Sequence, residues 1–322
     1  MKYSIQLQKN PIEESVRARY AMIIPILRGM LYSTKADVVK ECGGFDKITF
    51  EVFSRIYNEH PGDYGICFEY AVHAAIRSRD KNIHPYVSNV LNDYCRIKDS
   101  AESILFAIEK SGQSYVMESN SGLINRESRI LVGSTGQPAK LQKHMSNIVK
   151  AFRNPKHAEK LPLSIRGIWK ADLFIGGPHT HQWVGTTLKV RKEDLESASG
   201  LRIAMYPEPS NRESPKLDEE RNLVLCPLPY GGEFMQLFGA SFQILKQIIH
   251  SRGVQPSKVQ LVYEDDQIVA KWLVDRKQFP VLEIIQALEP IQQKDLIEQR
   301  VEEVPSSKSN VEMVAPIAIV RE

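Results

Sequence analysis

The chain has 322 residues, enough for one large or two ordinary domains, and its 42% apolar and 25% charged residues are the composition of a globular protein rather than a disordered, collagenous or coiled-coil one. A net charge of +3 is too small to announce a polyanion partner by itself, and four widely spaced cysteines (Cys42, Cys67, Cys95 and Cys226) exclude a zinc ribbon or a close redox pair. No apolar run approaches the roughly 18 residues of a membrane span, and Met1 opens onto Lys2, Gln6, Gln8 and Lys9, so a soluble, intracellular (cytoplasmic) protein without a membrane partner is expected.

The first 62 residues form a helical region, with Ile23, Ile24, Leu27, Met30 and Leu31 recurring at helical spacing around Pro25. Pro61 and Gly62 break the chain, and Asp63 stands ahead of Ile66 to Ile76 as a plausible helix cap. Two more helices are expected around Tyr86 to Ile97 and Ala101 to Lys110, then short strands at Tyr115 to Met117 and Ile130 to Val132. Gly133 to Lys140 lacks the Gly-Lys-Ser/Thr ending of a phosphate loop and is read as a turn. Helical signals resume from Lys140 to Phe152.

From Ser164 the pattern becomes that of a sheet, with strands at Ile165 to Ile168, Asp172 to Ile175, Trp183 to Val190, Leu201 to Tyr206 and Leu223 to Leu228. A short helix over Lys192 to Ser199 is expected to end at Gly200. Cys226 to Gly232 is a rigid strand exit into an amphipathic helix from Glu233 to His250. Val259 to Tyr263 and Ile268 to Val274 suit a hairpin around Glu264-Asp265-Asp266, and Phe279 to Leu288 a last helix. The polar residues from 290 onward are expected to form a disordered tail. These elements divide the chain into a helical region (1–62), an α/β core with a basic helical insertion (63–250), a hairpin and helix (251–289) and a tail (290–322).

Charge is uneven. Between Pro138 and Ala171 stand eight basic residues (Lys140, Lys143, Lys150, Arg153, Lys156, Lys160, Arg166 and Lys170) and one acid, Glu159. A solvated helical face accounts for such a run, but ordinary surfaces mix signs. The alternative is a track for a polyanion, and with Phe152 and Trp169 the only nearby aromatics, duplex backbone suits it better than stacked single strands.

The chemistry concentrates in Lys170 to Gly177 and Trp183 to Val190. On the second strand, Val184, Thr186, Leu188 and Val190 share a core-like face, while Trp183, Gly185, Thr187 and Lys189 share the other. Lys189 in mid-strand needs a carboxylate or an anion. Asp172, on the preceding strand beyond the Gly176-Gly177-Pro178 turn, is the natural candidate.

An acid at one strand's start, a turn, and Thr187-Leu188-Lys189 on the next strand resembles the active-site hairpin of the PD-(D/E)xK nuclease superfamily. Gly65 to Val72 looks like that family's first core helix, with Glu69 as its carboxylate. The resemblance covers about residues 63 to 230 and implies a restriction-endonuclease-like mixed sheet flanked by helices. It also implies Mg²⁺ or Mn²⁺ held by Asp172, Glu69 and Thr187, with Lys189 acting on the attacking water or the phosphate. DNA is the implied substrate, and restriction or antiphage defence the implied role. A hard cation wants oxygen ligands, and in-line attack on a phosphate needs charge neutralisation, which these residue types supply. Thr187 stands where the family carries Glu or Asp, so a second reading is a degenerate nuclease fold that binds nucleic acid, or regulates a partner, without cutting.

Two histidines at the turn, His179 and His181, with Asp172, would instead suit a transition metal, while His73, four residues after Glu69, is read as a packing histidine. A protein partner or a second copy of the chain stays open, the apolar Val311 to Val320 stretch being one surface for it.

Overall fold

The computed structural model describes residues 13–105, 127–132, 136–140, 144, 147, 150, 155–161, 171–209, 212–229 and 233–292. The helices α1 (Glu14–Ser33), α2 (Ala36–Glu41), α3 (Phe50–Ile56), α4 (Asp63–Arg77) and α5 (Ile83–Cys95) come first. The strands β1 (Glu102–Leu105), β2 (Arg129–Val132), β3 (Gln137–Lys140), β4 (Leu173–Gly177), β5 (Gln182–Leu188), β6 (Arg202–Glu208), β7 (Lys216–Asp218) and β8 (Leu223–Pro229) follow. Helices α6 (Glu233–His250), α7 (Glu264–Val274) and α8 (Val281–Gln292) close the described chain. The fold is α/β, with one mixed eight-stranded sheet.

The sheet runs β1-β4-β5-β6-β8-β7. β1 is antiparallel to β4 and β4 to β5, whereas β5–β6 and β6–β8 are parallel. β2 lies parallel to the start of β5, at Gln182 and Trp183, where β6 has not yet begun, and β3 pairs with β2.

One face of this sheet carries the helices. Leu173, Ile175, Val184, Leu188, Ile203, Met205, Val224 and Cys226 join the helical side chains Ile23, Leu27, Phe68, Phe238, Leu273 and Leu288 in a single core. Residues from 1–62, 63–250 and 251–289 thus share it. α4 buries Cys67, Phe68, Ala71, Val72, Ala75 and Ile76, a helical stripe. It meets α1 at Gly29, where a Cβ would stand 3.1 Å from the Cys67 Cα. The opposite face has a smaller cluster in which Ala204, Tyr206, Leu223 and Leu225 meet Leu195 and Ala198 from the β5–β6 crossover.

Several local expectations give way to tertiary context. Glu102–Leu105, expected to be helical, is a strand because Ser103 and Ile104 pair with Ile175 and Phe174. Gln137–Lys140 extends the sheet rather than turning. The crossover expected to be a helix has a single 3₁₀ turn at Lys192–Asp194. The expected hairpin around 264–266 is α7, whose Val269, Ala270 and Leu273 are buried on one side. Its first turn is anchored by Arg19, which donates to Asp266 at 2.5 Å and to Asp265 at 2.9 Å. Asp63 is the first residue of α4 rather than its cap, and its carboxylate accepts from the His60 N–H and the Tyr57 hydroxyl, each at 2.7 Å. α1 runs through Pro25, and α8 begins two residues later than expected and ends at Gln292. The strands expected at Tyr115 to Met117 and Ile165 to Ile168, most of the expected helix at Lys140 to Phe152, and the tail beyond 292 lie outside the described residues.

Candidate active-site hairpin

The β4–β5 hairpin forms as its sequence dictates. Gly176 lets the strands close tightly, Gly177 leaves room for the Asp99 side chain, and Asp99 accepts from the His179 and Thr180 N–H groups at 2.9 and 3.1 Å, fixing the turn. Asp172 lies at the other end of β4. At about 3.3 Å per residue, some 17 Å of strand separate it from His179 and His181. The structure therefore does not assemble those histidines with Asp172.

At its open end the hairpin is irregular. The ladder pairs Leu173 with Thr186, yet the Asp172 N–H also donates to the Thr186 carbonyl oxygen, at 2.8 Å. Two residues of one strand thus face one of the other, a β-bulge, which re-aims a side chain at the rim of a sheet. Here it turns the Asp172 carboxylate back onto β5. Oδ2 accepts from the Thr187 hydroxyl at 3.0 Å and from the Leu188 N–H at 2.9 Å, the carboxylate standing where a backbone carbonyl would continue the ladder. Asp172 and Thr187 are 8% and 4% exposed.

The alternation expected on β5 is the one found. Val184 and Leu188 enter the helix-covered core, while Thr187 is in register with Ala204 on the other face. Lys189 follows on the Thr187 side of the strand. Its backbone N–H donates to the Met205 carbonyl at 3.0 Å, and its side chain is half-buried and makes no ion pair among the described residues.

Glu69 comes from the other side. Four residues before it, Gly65 packs beside Val190, with 3.9 Å between the Val190 Cγ2 and an added Cβ. Four residues after it, the His73 Nδ1 lies 3.0 Å from the Ser103 hydroxyl on β1. α4 thus crosses the helix-covered face from the end of β5 to β1, and Glu69, between these contacts, faces the sheet from there. It does not share a face with Thr187 and Lys189. Burial pushes the pKa of His73 down to about 3, with Arg77 and Arg28 acting in the same direction, so this histidine is a neutral packing group at physiological pH.

The sequence reading missed Arg202, the first residue of β6. It is 5% exposed, and burial lowers its pKa, opposed by the charges of Asp172 and Glu196. The signal was present: an arginine inside an apolar strand must meet a carboxylate. The crossover bearing Glu196 is held near β6 by Lys192, whose ammonium donates to Glu213 Oε2 at 2.7 Å, as does the Tyr206 hydroxyl. Lys192 and Tyr206 hold the Glu213 carboxyl below its usual range.

Of the basic run, Lys140, Lys150, Lys156 and Lys160 are exposed, while Lys143, Arg153, Arg166 and Lys170 lie outside the described residues. Among the described residues no helix is long and apolar enough to cross a membrane, and no three His, Cys, Asp or Glu side chains gather as a metal cluster. No family model, curated protein or solved structure matches the chain.

Proposed function

We propose that the chain is a metal-dependent hydrolase of DNA phosphodiester bonds, with Asp172, Thr187 and Lys189 at its centre and a core of the PD-(D/E)xK kind. The observation that carries this reading is the 3.0 Å contact between Thr187 and the bulge-directed Asp172 carboxylate, with Lys189 next along the same side of β5. The run β1-β4-β5-β6, antiparallel twice and then parallel, supports it, because the acid and the lysine fall on the paired central strands and a parallel strand follows the lysine.

The donor set fits Mg²⁺ or Mn²⁺. Asp172 and Thr187 are hard oxygen donors, and such ions are commonly held by one or two carboxylates together with substrate phosphate and water. Glu69, on the far side of β5, is left out of this set. When bound, the ion supplies Lewis acidity and a water of lowered pKa. Asp172 holds it, Thr187 keeps the carboxylate aimed, and the Lys189 ammonium neutralises charge developing on the phosphate oxygens. Lys140, Lys150, Lys156 and Lys160 offer sequence-independent backbone contacts, with Lys143, Arg153, Arg166 and Lys170 of the same run.

A second reading, nucleic-acid binding without cleavage, is favoured by one specific feature: Thr187 replaces an acid and directs its hydroxyl hydrogen to Asp172. Supercoiled and linear DNA incubated with Mg²⁺, Mn²⁺ or chelator, beside Asp172→Asn and Lys189→Met proteins of matched folding, decides between them. Metal-dependent nicking lost in both variants is the expected result. Salt-sensitive binding with no cleavage under any metal would sink the hydrolase reading in favour of the second.

A further inference from the structure

Five of the eight large apolar side chains that stand exposed among the described residues, Val254, Val259, Val262, Tyr263 and Ile268, lie in the α6–α7 link and the first turns of α7. Val259 and Val262 are 88% and 75% exposed. The link is held in place, since Pro256 and Leu261 are buried and Gln267 of α7 ties it down. The Gln267 side chain donates to the Leu261 carbonyl at 2.8 Å, its backbone N–H donates to the Tyr263 carbonyl at 3.2 Å, and its own carbonyl accepts from the Gln255 side chain at 3.4 Å. Val254, Val262, Tyr263 and Ile268, each bonded to or next in chain to these groups, are thereby gathered around Gln267 in one exposed apolar surface. A folded monomer rarely leaves such a surface without an occupant.

We propose that this surface is the docking site of the chain's own residues 311–320. That segment carries Val311, Met313, Val314, Ile317, Ile319 and Val320 with a single charge, Glu312, and is too short to bury these side chains against itself. The place where the described chain ends puts it within reach. α8 ends at Gln292, and residues 293–310 lead from there to Val311. Glu289, near that end, meets Arg28 at 2.5 Å, while Asp265 of α7 meets Arg19 at 2.9 Å; the two arginines lie about 14 Å apart along α1. At about 3.3 Å per residue the linker spans up to about 60 Å, several times that separation. Such a tether presents the segment to the surface at an effective concentration of about 1 mM. Charge agrees with the assignment: Lys258, beside Val259, is exposed, makes no ion pair among the described residues and suits Glu312.

The test is amide hydrogen exchange read by mass spectrometry on the full-length chain, over a tenfold range of protein concentration. Wild type is compared with Val259→Asp/Val262→Asp, two changes at exposed positions that the core does not feel, and with Val314→Asp/Ile317→Asp in the segment. A docking constant of about 0.1 mM at an effective concentration of about 1 mM slows exchange about tenfold. Residues 311–320 are therefore expected to exchange about tenfold more slowly in wild type than in Val259→Asp/Val262→Asp, and the amides of 258–263 to speed up in Val314→Asp/Ile317→Asp, at every protein concentration and with the mass of a single chain in light scattering. Exchange of 311–320 at the rate of an unprotected chain in wild type overturns the proposal. So does protection of either stretch that survives substitution of the other, which would put the segment elsewhere. Reciprocal protection that grows with protein concentration, together with a doubled mass, overturns docking within one chain and gives the surface to a second copy instead.

Discussion

Asp172→Ala is expected to unfold the open end of the hairpin. The Leu188 N–H is buried, and losing its carboxylate acceptor at 2.9 Å costs about 2 kcal/mol. The Thr187 hydroxyl, also buried, loses its partner for about 1 kcal/mol. The total is about 3 kcal/mol. Thr187→Val removes only the hydroxyl bond, at about 1 kcal/mol, and Asp172→Asn keeps an acceptor for Leu188 and falls between, at about 2 kcal/mol. Urea unfolding followed by tryptophan fluorescence, in chelator so that no ion contributes, ranks the three. An Asp172→Ala protein within 1 kcal/mol of Thr187→Val would refute the reasoning, since the carboxylate would then not be closing the ladder.

Two further outcomes are expected. Gly176→Ala places a Cβ 2.1 Å from the Gln182 carbonyl oxygen and 2.8 Å from the Trp183 Cα, backbone that cannot yield without parting the hairpin, so a loss of about 3 kcal/mol is expected in the same unfolding assay; a neutral substitution would show that the strands are not so closely packed. His73, with a folded pKa near 3 against 6.5 for the free side chain, takes its proton in the unfolded chain first. Stability is therefore unaffected above about pH 6.5 and falls as the pH drops from there towards 3, with a slope of up to about 1.4 kcal/mol per unit that His73→Gln abolishes; equal slopes in the two proteins between pH 6 and 4 would contradict this burial.

What the sequence determined by itself is what a single segment can encode. The alternation of Trp183 to Val190, the helical stripes of α4 and α6, and the Gly-Gly-Pro turn are local patterns, and the structure realises each because one face of each element enters the core. The acid and the lysine of the hairpin were legible for the same reason. Tertiary pairing decided the rest. Glu102–Leu105 is a strand only because β4 offers an edge some 70 residues away, and Glu264–Val274 is a helix rather than a hairpin because Arg19, some 246 residues earlier, anchors its first turn and the core receives Val269 and Leu273. The bulge that turns Asp172 onto Thr187, the placing of Glu69 across the sheet, and the arrival of Arg202 beside Gly185 on the Thr187 face depend on which strands lie side by side and in which register. A local pattern sets which way a side chain points along its own element. Its charge partner is set by chain distant in sequence, and only the assembled sheet brings the two together.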